Sequence, residues 1–383
     1  MNEQGAGDGS SVPQVDPPAD SEQDPGPKNP RRPAAEATQK LSEMRWALGG
    51  AVRVLVLTHD NPDPDAIASA AGLGFLIERI SSVPVTLGLG GIIGRAENRA
   101  LMEELDVPFE RVEGADVGED TAFAMVDTQP GAGNNSLPPG RVPTVVLDHH
   151  PVAPASESAA FVDVRPDYGA SASMIVEYLR AARLEPDRKL ATALFYGIQS
   201  ETMDLGREAS EADVDASVFL YPRTDPAAIS RIRHARVPRG VYRSIHEGLE
   251  RAWSQGGVVF VPLGRLEYPD LVAQLADLFL RVHGVDWVIA AGRYQDSLLF
   301  SLRAHLPDAH AGELVQQVIG SRGSAGGHGE MAGARVDLAD LPEDEADGLL
   351  SELMNDFASA LSVGQEERQS LIETSRSDDG TGT

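Results

Sequence analysis

Apolar residues fall along this chain in short runs, separated by longer segments whose apolar positions recur at helical spacing. The runs VRVLVLT (52–58), 83–87, AFAMVD (122–127) and PTVVLD (143–148) are flanked by Gly, Pro or polar residues and predict buried parallel strands. Segments 35–47, 66–80, 171–183 and 187–199 predict helices between and after them. Strand–helix alternation of this kind implies an α/β fold, an open and mostly parallel sheet with helices on both faces. A long Arg-bearing stretch, about 226–255, predicts a helical connector. Beyond it, VVFVPL (258–263), a helix over 270–283, strands at 285–291 and 297–303, a helix over 310–319 and a Gly-rich turn predict a smaller C-terminal α/β domain. The division expected is a tail at 1–33, a first domain at 34–225, the connector at 226–255, a second domain at 256–363 and a tail at 364–383. Residues 1–33 contain too few large apolar side chains to offset the entropy of ordering them.

Composition narrows the chemistry. Apolar residues make up 42% of 383, enough for two cores. Cysteine is absent, which excludes disulfides, zinc–thiolate sites and thiol nucleophiles. No apolar run approaches a membrane span, and the N-terminus lacks the basic start and apolar segment of a secretory signal, so the cytoplasm is the expected location. Net charge is −27, and 29 of the 32 basic residues are Arg. Such a surface repels nucleic-acid backbones, and a polyanionic substrate has to be drawn by bound cations or a local Arg cluster. Arg231, Arg233, Arg236, Arg239 and Arg243 form one such cluster in the connector. It either steers phosphates or is a solvated face paired with surrounding acids.

The strands end on chemically informative residues. The first runs into His59-Asp60-Asn61-Pro62-Asp63-Pro64-Asp65, the third ends on Asp127, and the fourth on Asp148-His149-His150. Singly, each has a plain explanation: Asp65 as a helix N-cap, the His pair as an ordinary turn. Jointly, they gather carboxylates and imidazoles at the carboxyl edge of one sheet, where α/β proteins bind ligands. Repulsion and desolvation make that costly unless divalent cations sit among them. A ligand set of His nitrogen and carboxylate oxygen suits Mn²⁺ first, with Mg²⁺, Co²⁺ or Zn²⁺ as alternatives.

These residues resemble the DHH phosphoesterases. The first motif of that family is matched by His59, Asp63, Asp65, Ala66 and Ser69, the second by Asp127, and the third by Asp148, His149 and His150. The fourth is matched by Gly197-Ile198-Gln199-Ser200-Glu201, with Glu where Asp is usual and Asp204 as the fallback ligand. In the second half, Ser301-Leu302-Arg303 and Ala325-Gly326-Gly327-His328 resemble the DHH-associated domain, with Ala325 in place of its first Gly. The resemblance implies two divalent metal ions, one held by His59, Asp63 and Asp127 and the other by Asp65, Asp127, His149 and Glu201. It further implies His150 as a catalytic group facing the phosphate, Asp148 orienting an imidazole, and Arg303, Gly326, Gly327 and His328 binding substrate from the second domain. Water attack on short RNA oligonucleotides or on nucleotide phosphates such as 3′-phosphoadenosine 5′-phosphate (pAp) is the implied activity. Hydrolysis of cyclic or linear dinucleotides, of pyro- or polyphosphate, and non-catalytic nucleotide sensing are the alternatives. No membrane partner is expected, and homodimerisation is left open.

Overall fold

The strand β1 (Arg53–Leu57) is buried at every residue but its first and lies at the centre of a six-stranded sheet. Around it the computed structural model, which describes residues 32–112, 117–306, 308–338 and 341–372, builds two domains. In the first, α1 (Ala34–Ala47) precedes β1, and α2 (Pro64–Ser81), β2 (Val85–Leu89), α3 (Ala96–Leu105), β3 (Phe109–Arg111), β4 (Thr121–Val126), β5 (Val145–Asp148) and β6 (Phe161–Val164) follow. The helices α4 (Ser171–Ala181), α5 (Arg188–Glu201) and α6 (Glu211–Leu220) complete it. The sheet order is β3-β2-β1-β4-β5-β6, and every pairing is parallel. Strand order therefore reverses between β1 and β4, and a crevice opens there beyond their carboxyl ends.

Helix α2 is buried on nearly every side from Pro64 to Ile77, as a central helix must be. Two glycines set its spacing. A Cβ on Gly72 would collide with Ile175, and one on Gly197 would press on Pro64 O at 3.1 Å and Asp65 Cα at 3.2 Å. Gly197 thus lets α5 run against the start of α2, one helical turn before Glu201.

Two helices, α7 (Pro226–Arg233) and α8 (Arg239–Arg251), stand where one connector helix is expected. Pro238 explains the break, because a proline disfavours helical geometry in the residue before it while suiting the start of a new helix. Residues 253–255, also expected in the connector, form β7 (Trp253–Gln255). The second domain continues with β8 (Val258–Arg265), α9 (Leu271–Phe279), β9 (Trp287–Tyr294), β10 (Ser297–Ala304), α10 (Ala311–Ile319), β11 (Gly323–His328), β12 (Met331–Asp337), α11 (Glu343–Ala360) and β13 (Gln369–Ser370). Its mixed sheet has the order β11-β12-β10-β9-β8-β7-β13, with α8 and α9 packing on one apolar face and α10 and α11 on the other. The Gly-rich segment expected as a turn is a hairpin: Gly323–His328 pair with Met331–Val336.

The edges of both expected tails are ordered. Arg32 pairs with Asp163 at 2.8 Å, and Gln369 and Ser370 pair with Ser254 and Trp253. The remainder of those tails, 1–31 and 373–383, lies outside the described residues. Among the described residues no helix is long and apolar enough to cross a membrane.

Candidate metal centre

Each strand end delivers its side chain to the crevice by a distinct local device. After β1 the chain turns through Asn61 in the left-handed region, φ 56°, and Asp63 caps α2 by accepting a hydrogen bond from Ala66 N at 3.0 Å. Asp127 also adopts a left-handed conformation, φ 59°, a strained geometry for a residue bearing a Cβ. Ser171, at the start of α4, donates to Asp127 Oδ1 at 2.9 Å and fixes the carboxylate.

Two sets of groups meet at Asp127. His59 Nε2 lies 3.6 Å from both Asp63 Oδ2 and Asp127 Oδ2. His149 Nε2 lies 3.5 Å and His150 Nδ1 3.9 Å from Asp127 Oδ1. Each set, His59–Asp63–Asp127 and Asp127–His149–His150, presents three ligand atoms within 4.8 Å of one another, the spacing a metal ion needs. The imidazoles are aimed for such a role. His59 Nδ1 contacts Asp60 O at 3.0 Å and His149 Nδ1 contacts Tyr168 O at 3.2 Å, so each Nδ1 donates to a carbonyl and each Nε2 is turned toward Asp127, where a metal ion would take the place of any proton it carries. His149 Nε2 is buried with no hydrogen-bond partner among the described residues, and a metal ion would satisfy it.

His150 differs from its neighbour. Its Nδ1 is 2.8 Å from Asp148 Oδ1, while Asp148 Oδ2 accepts from Gln129 Nε2 at 2.7 Å. Gln129 in turn is held by Pro151 O, Ala153 N and Ser156 Oγ, so Asp148 is an anchored positioning group for His150. Gln129 and Ser171 escape sequence reasoning, since an amide and a hydroxyl carry no metal signal of their own.

Asp65 sits elsewhere than a simple ligand would. Both its oxygens accept backbone N–H groups of α4, Ser171 at 2.7 Å and Ala172 at 2.9 Å, and it falls in neither three-ligand set. A carboxylate at the opening turn of α2 thus caps a different helix, while its remaining lone pairs stay near Asp127. Glu201 ends α5 and faces Asp63, Asp127 and His149. Asp204 points away, paired with Arg233 at 2.8 Å on the surface.

The charges are strained without a cation. Burial opposes protonation of His59 and His150, yet Asp63 and Asp127 beside the first, and Asp148 and Asp127 beside the second, push both up to about 10. Burial, and then mutual repulsion, raises Asp65, Asp127 and Glu201 above the usual carboxylate range, Asp65 most of all. Asp63 goes down despite its burial, held by His59. Divalent cations would relieve this frustration, and the mixed N/O donor set fits them.

The second domain closes over the crevice. The guanidinium of Arg207, in the loop after α5, approaches Met331 Sδ at 3.2 Å, and Glu208 lies beside Gly329 at the tip of the β11–β12 hairpin. His328 ends β11 opposite Met331, and Gly326 and Gly327 precede it. A Cβ on Gly327 would overlap Ala332, and one on Gly312 would overlap Gly327 O, so this hairpin requires glycine for backbone contact. Arg303 is already engaged, with Nε 2.5 Å from Asp277 Oδ1 and Nη1 2.9 Å from Ser301 Oγ. In the connector, Arg231 pairs with Glu104 and Arg233 with Asp204, so these two members of the Arg cluster bind surface acids.

A doubly wound parallel sheet with His and Asp at its switch point defines the class. Residues 53–198 match the family model described as the DHH family, N-terminal domain. The chain is 33% identical over 288 residues to an uncharacterised protein of Methanocaldococcus jannaschii, covering 74% of this chain and 58% of that one. It is 25% identical over 354 residues to the cyclic-di-AMP phosphodiesterase GdpP of Geobacillus thermodenitrificans, covering 87% and 52% respectively. The chain thus spans little more than half the length of these curated relatives. An exopolyphosphatase-related protein from Bacteroides fragilis shares the fold, with a TM-score of 0.62 at 13% identity over 84% of this chain and 98% of that one.

Proposed function

We propose that the protein is a metal-dependent phosphoesterase acting on short oligoribonucleotides and on nucleotide phosphates such as pAp. The observation that carries this reading is the pair of three-ligand sets sharing Asp127 at the switch-point crevice. His59, Asp63 and Asp127 would hold one divalent ion, and Asp127, His149 and Glu201, with a remaining lone pair of Asp65, the other; Mn²⁺ suits this set best. Bound there, such ions activate water and neutralise charge on the phosphoryl oxygens. The protein's own groups do the rest. His150, held through Nδ1 by Asp148 and so engaged differently from His149, faces the crevice, where it would stabilise phosphoryl charge or deliver a proton to the leaving oxygen. The hairpin at Gly326–His328, and Arg303 once released from Asp277, grip the part of the nucleotide remote from the reacting phosphorus.

Cleavage of a cyclic dinucleotide is the second reading, favoured by the similarity to a cyclic-di-AMP phosphodiesterase along 87% of this chain. The deciding experiment compares turnover of a diribonucleotide, pAp, cyclic-di-AMP and pyrophosphate with Mn²⁺. Turnover of the first two above the others supports the leading reading, preference for cyclic-di-AMP the second, and metal-independent turnover or none would sink both.

A further inference from the structure

The loop between β2 and α3 is wedged between the two domains. On its inner side it is tied to the turn that carries the first metal-type residues: Ile92 N donates to Asn61 Oδ1 at 2.9 Å and Asn61 N donates to Gly90 O at 3.1 Å. On its outer side Ile92 packs into the core of the second domain, and Gly94 lies under the Tyr268 ring so closely that a Cβ there would come within 2.6 Å of it. Arg95 follows Gly94, and Asp270 comes two residues after Tyr268. The contact therefore brings these two charged residues together at the mouth of the crevice.

The fold engages both side chains only weakly. The Arg95 guanidinium makes no hydrogen bond among the described residues, and its nearest carboxylate oxygen, on Glu97, is 4.0 Å away. Its electrostatic surroundings are Asp277 and Asp270 from the second domain, with Glu97 and Asp63 from the first. Asp270 stands at the N-cap of α9 without capping it, and its Oδ2 is buried with no hydrogen-bond partner among the described residues. His59 and Asp63 are among the groups facing it. A buried acceptor left unpaired is costly, and one set beside a crevice is available to a ligand's donor.

We infer that Arg95 and Asp270 form a nucleotide-recognition subsite at the domain junction, Arg95 gripping phosphate oxygens and Asp270 accepting a hydrogen bond from a sugar hydroxyl. This rests on the phosphoesterase reading and narrows its substrate class. A guanidinium beside a lone carboxylate acceptor matches a ligand that carries an anion and a neutral donor a few ångströms apart, as a ribonucleotide does. An inorganic phosphate chain offers acceptors alone along its interior, and any hydroxyl at its ends sits on an anionic phosphate. It would meet repulsion from Asp270, so the pair selects nucleotides against polyphosphate.

Calorimetric binding to the Mn²⁺-loaded full chain tests this with three probes: AMP, its 2′,3′-dideoxy analogue and inorganic phosphate. Wild type should bind AMP at least fivefold more tightly than the dideoxy analogue. Asp270→Ala should erase that difference and leave phosphate bound as well or better, while Arg95→Gln should weaken all three about tenfold. Equal binding of AMP and the dideoxy analogue to wild type overturns the inference, and so does a hydroxyl preference that survives in Asp270→Ala. Absence of AMP binding overturns it too. The wild-type comparison needs no variant, and Asp270→Asn serves if the alanine protein fails to fold. Turnover plays no part here, so a protein that binds by this pattern yet hydrolyses nothing would defeat the proposed function and spare the subsite.

Discussion

Asp127 is asked to do two things at once: hold a left-handed backbone and present each of its oxygens to a different set of imidazoles. Asp127→Ala should therefore lower Mn²⁺-dependent turnover by more than about 10²-fold, and metal analysis of the purified variant should show fewer bound ions than wild type. Folded Asp127→Ala protein with near-normal turnover would rule out the shared ligand. A second test separates two acids that sequence alone ranks side by side. Glu201 faces the imidazoles, whereas Asp204 is tied up with Arg233, so Glu201→Gln should weaken Mn²⁺ binding in a metal titration and Asp204→Asn should not. Reversed outcomes would move the ligand to Asp204. At this scale the positions of His59, Asp127 and His149 were legible because a strand fixes where the side chains at its end emerge, and that of Asp63 because an acid just before a helix marks its cap. Ser171 and Gln129 were not, since their work is done on partners 44 and 19 positions away in the chain. Asp65 shows a subtler loss: sequence can mark an acid at the opening of a helix without showing which helix it caps.

Among the elements, α1 is fastened by a buried ion network. Asp163 on β6 receives Arg32 at 2.8 Å, Arg165 at 2.5 Å and the Tyr178 hydroxyl, with its side chain only 5% exposed. Burial alone would raise this carboxyl, but Arg165 and Arg32 outweigh it and hold it down to about 2. A depressed folded-state value means stability that is complete above the unfolded value near 4 and is lost as pH falls toward 2. Denaturant unfolding of wild type between pH 4 and 2 should show this loss, on the order of 2 kcal/mol. Asp163→Asn should lack that component and be less stable at pH 7 by about 3–5 kcal/mol, because two guanidinium groups stay buried without their partner. An unchanged acid limb in Asp163→Asn would assign the loss to other carboxylates. Sequence periodicity caught most strands and long helices in this half, since burial on both faces leaves unbroken apolar runs. It missed α3, α6 and β6, which are short or half-exposed, and in the other half α11. It also read the Gly-rich hairpin as a turn, because β11 is paired through its backbone and has hardly any side chains with which to announce a strand.

At the level of the whole molecule, the proposed function divides binding and chemistry between domains, and kinetics should divide with them. Replacing His328 or Arg303 by Ala should mainly raise KM for nucleotide substrates, whereas His150→Ala should mainly lower kcat; a His328→Ala protein with unchanged KM would remove the hairpin from the substrate site. The two-domain plan was visible in the sequence, but the docking of Gly94 against Tyr268 was not, because it depends on the absence of a side chain at one position and a ring more than 170 residues later. The last strand adds one more consequence. By pairing with β7, Gln369 and Ser370 occupy a row of backbone donors and acceptors that would otherwise lie open at the rim of the second sheet. An open rim is a template for another chain, and it is how folded proteins begin to stick to one another. Removing residues 364–383 should accordingly leave the metal centre intact yet make the protein self-associate with concentration. Light scattering would detect this, and a truncated protein that stays as dispersed as the full chain would mean that the two-residue pairing guards nothing.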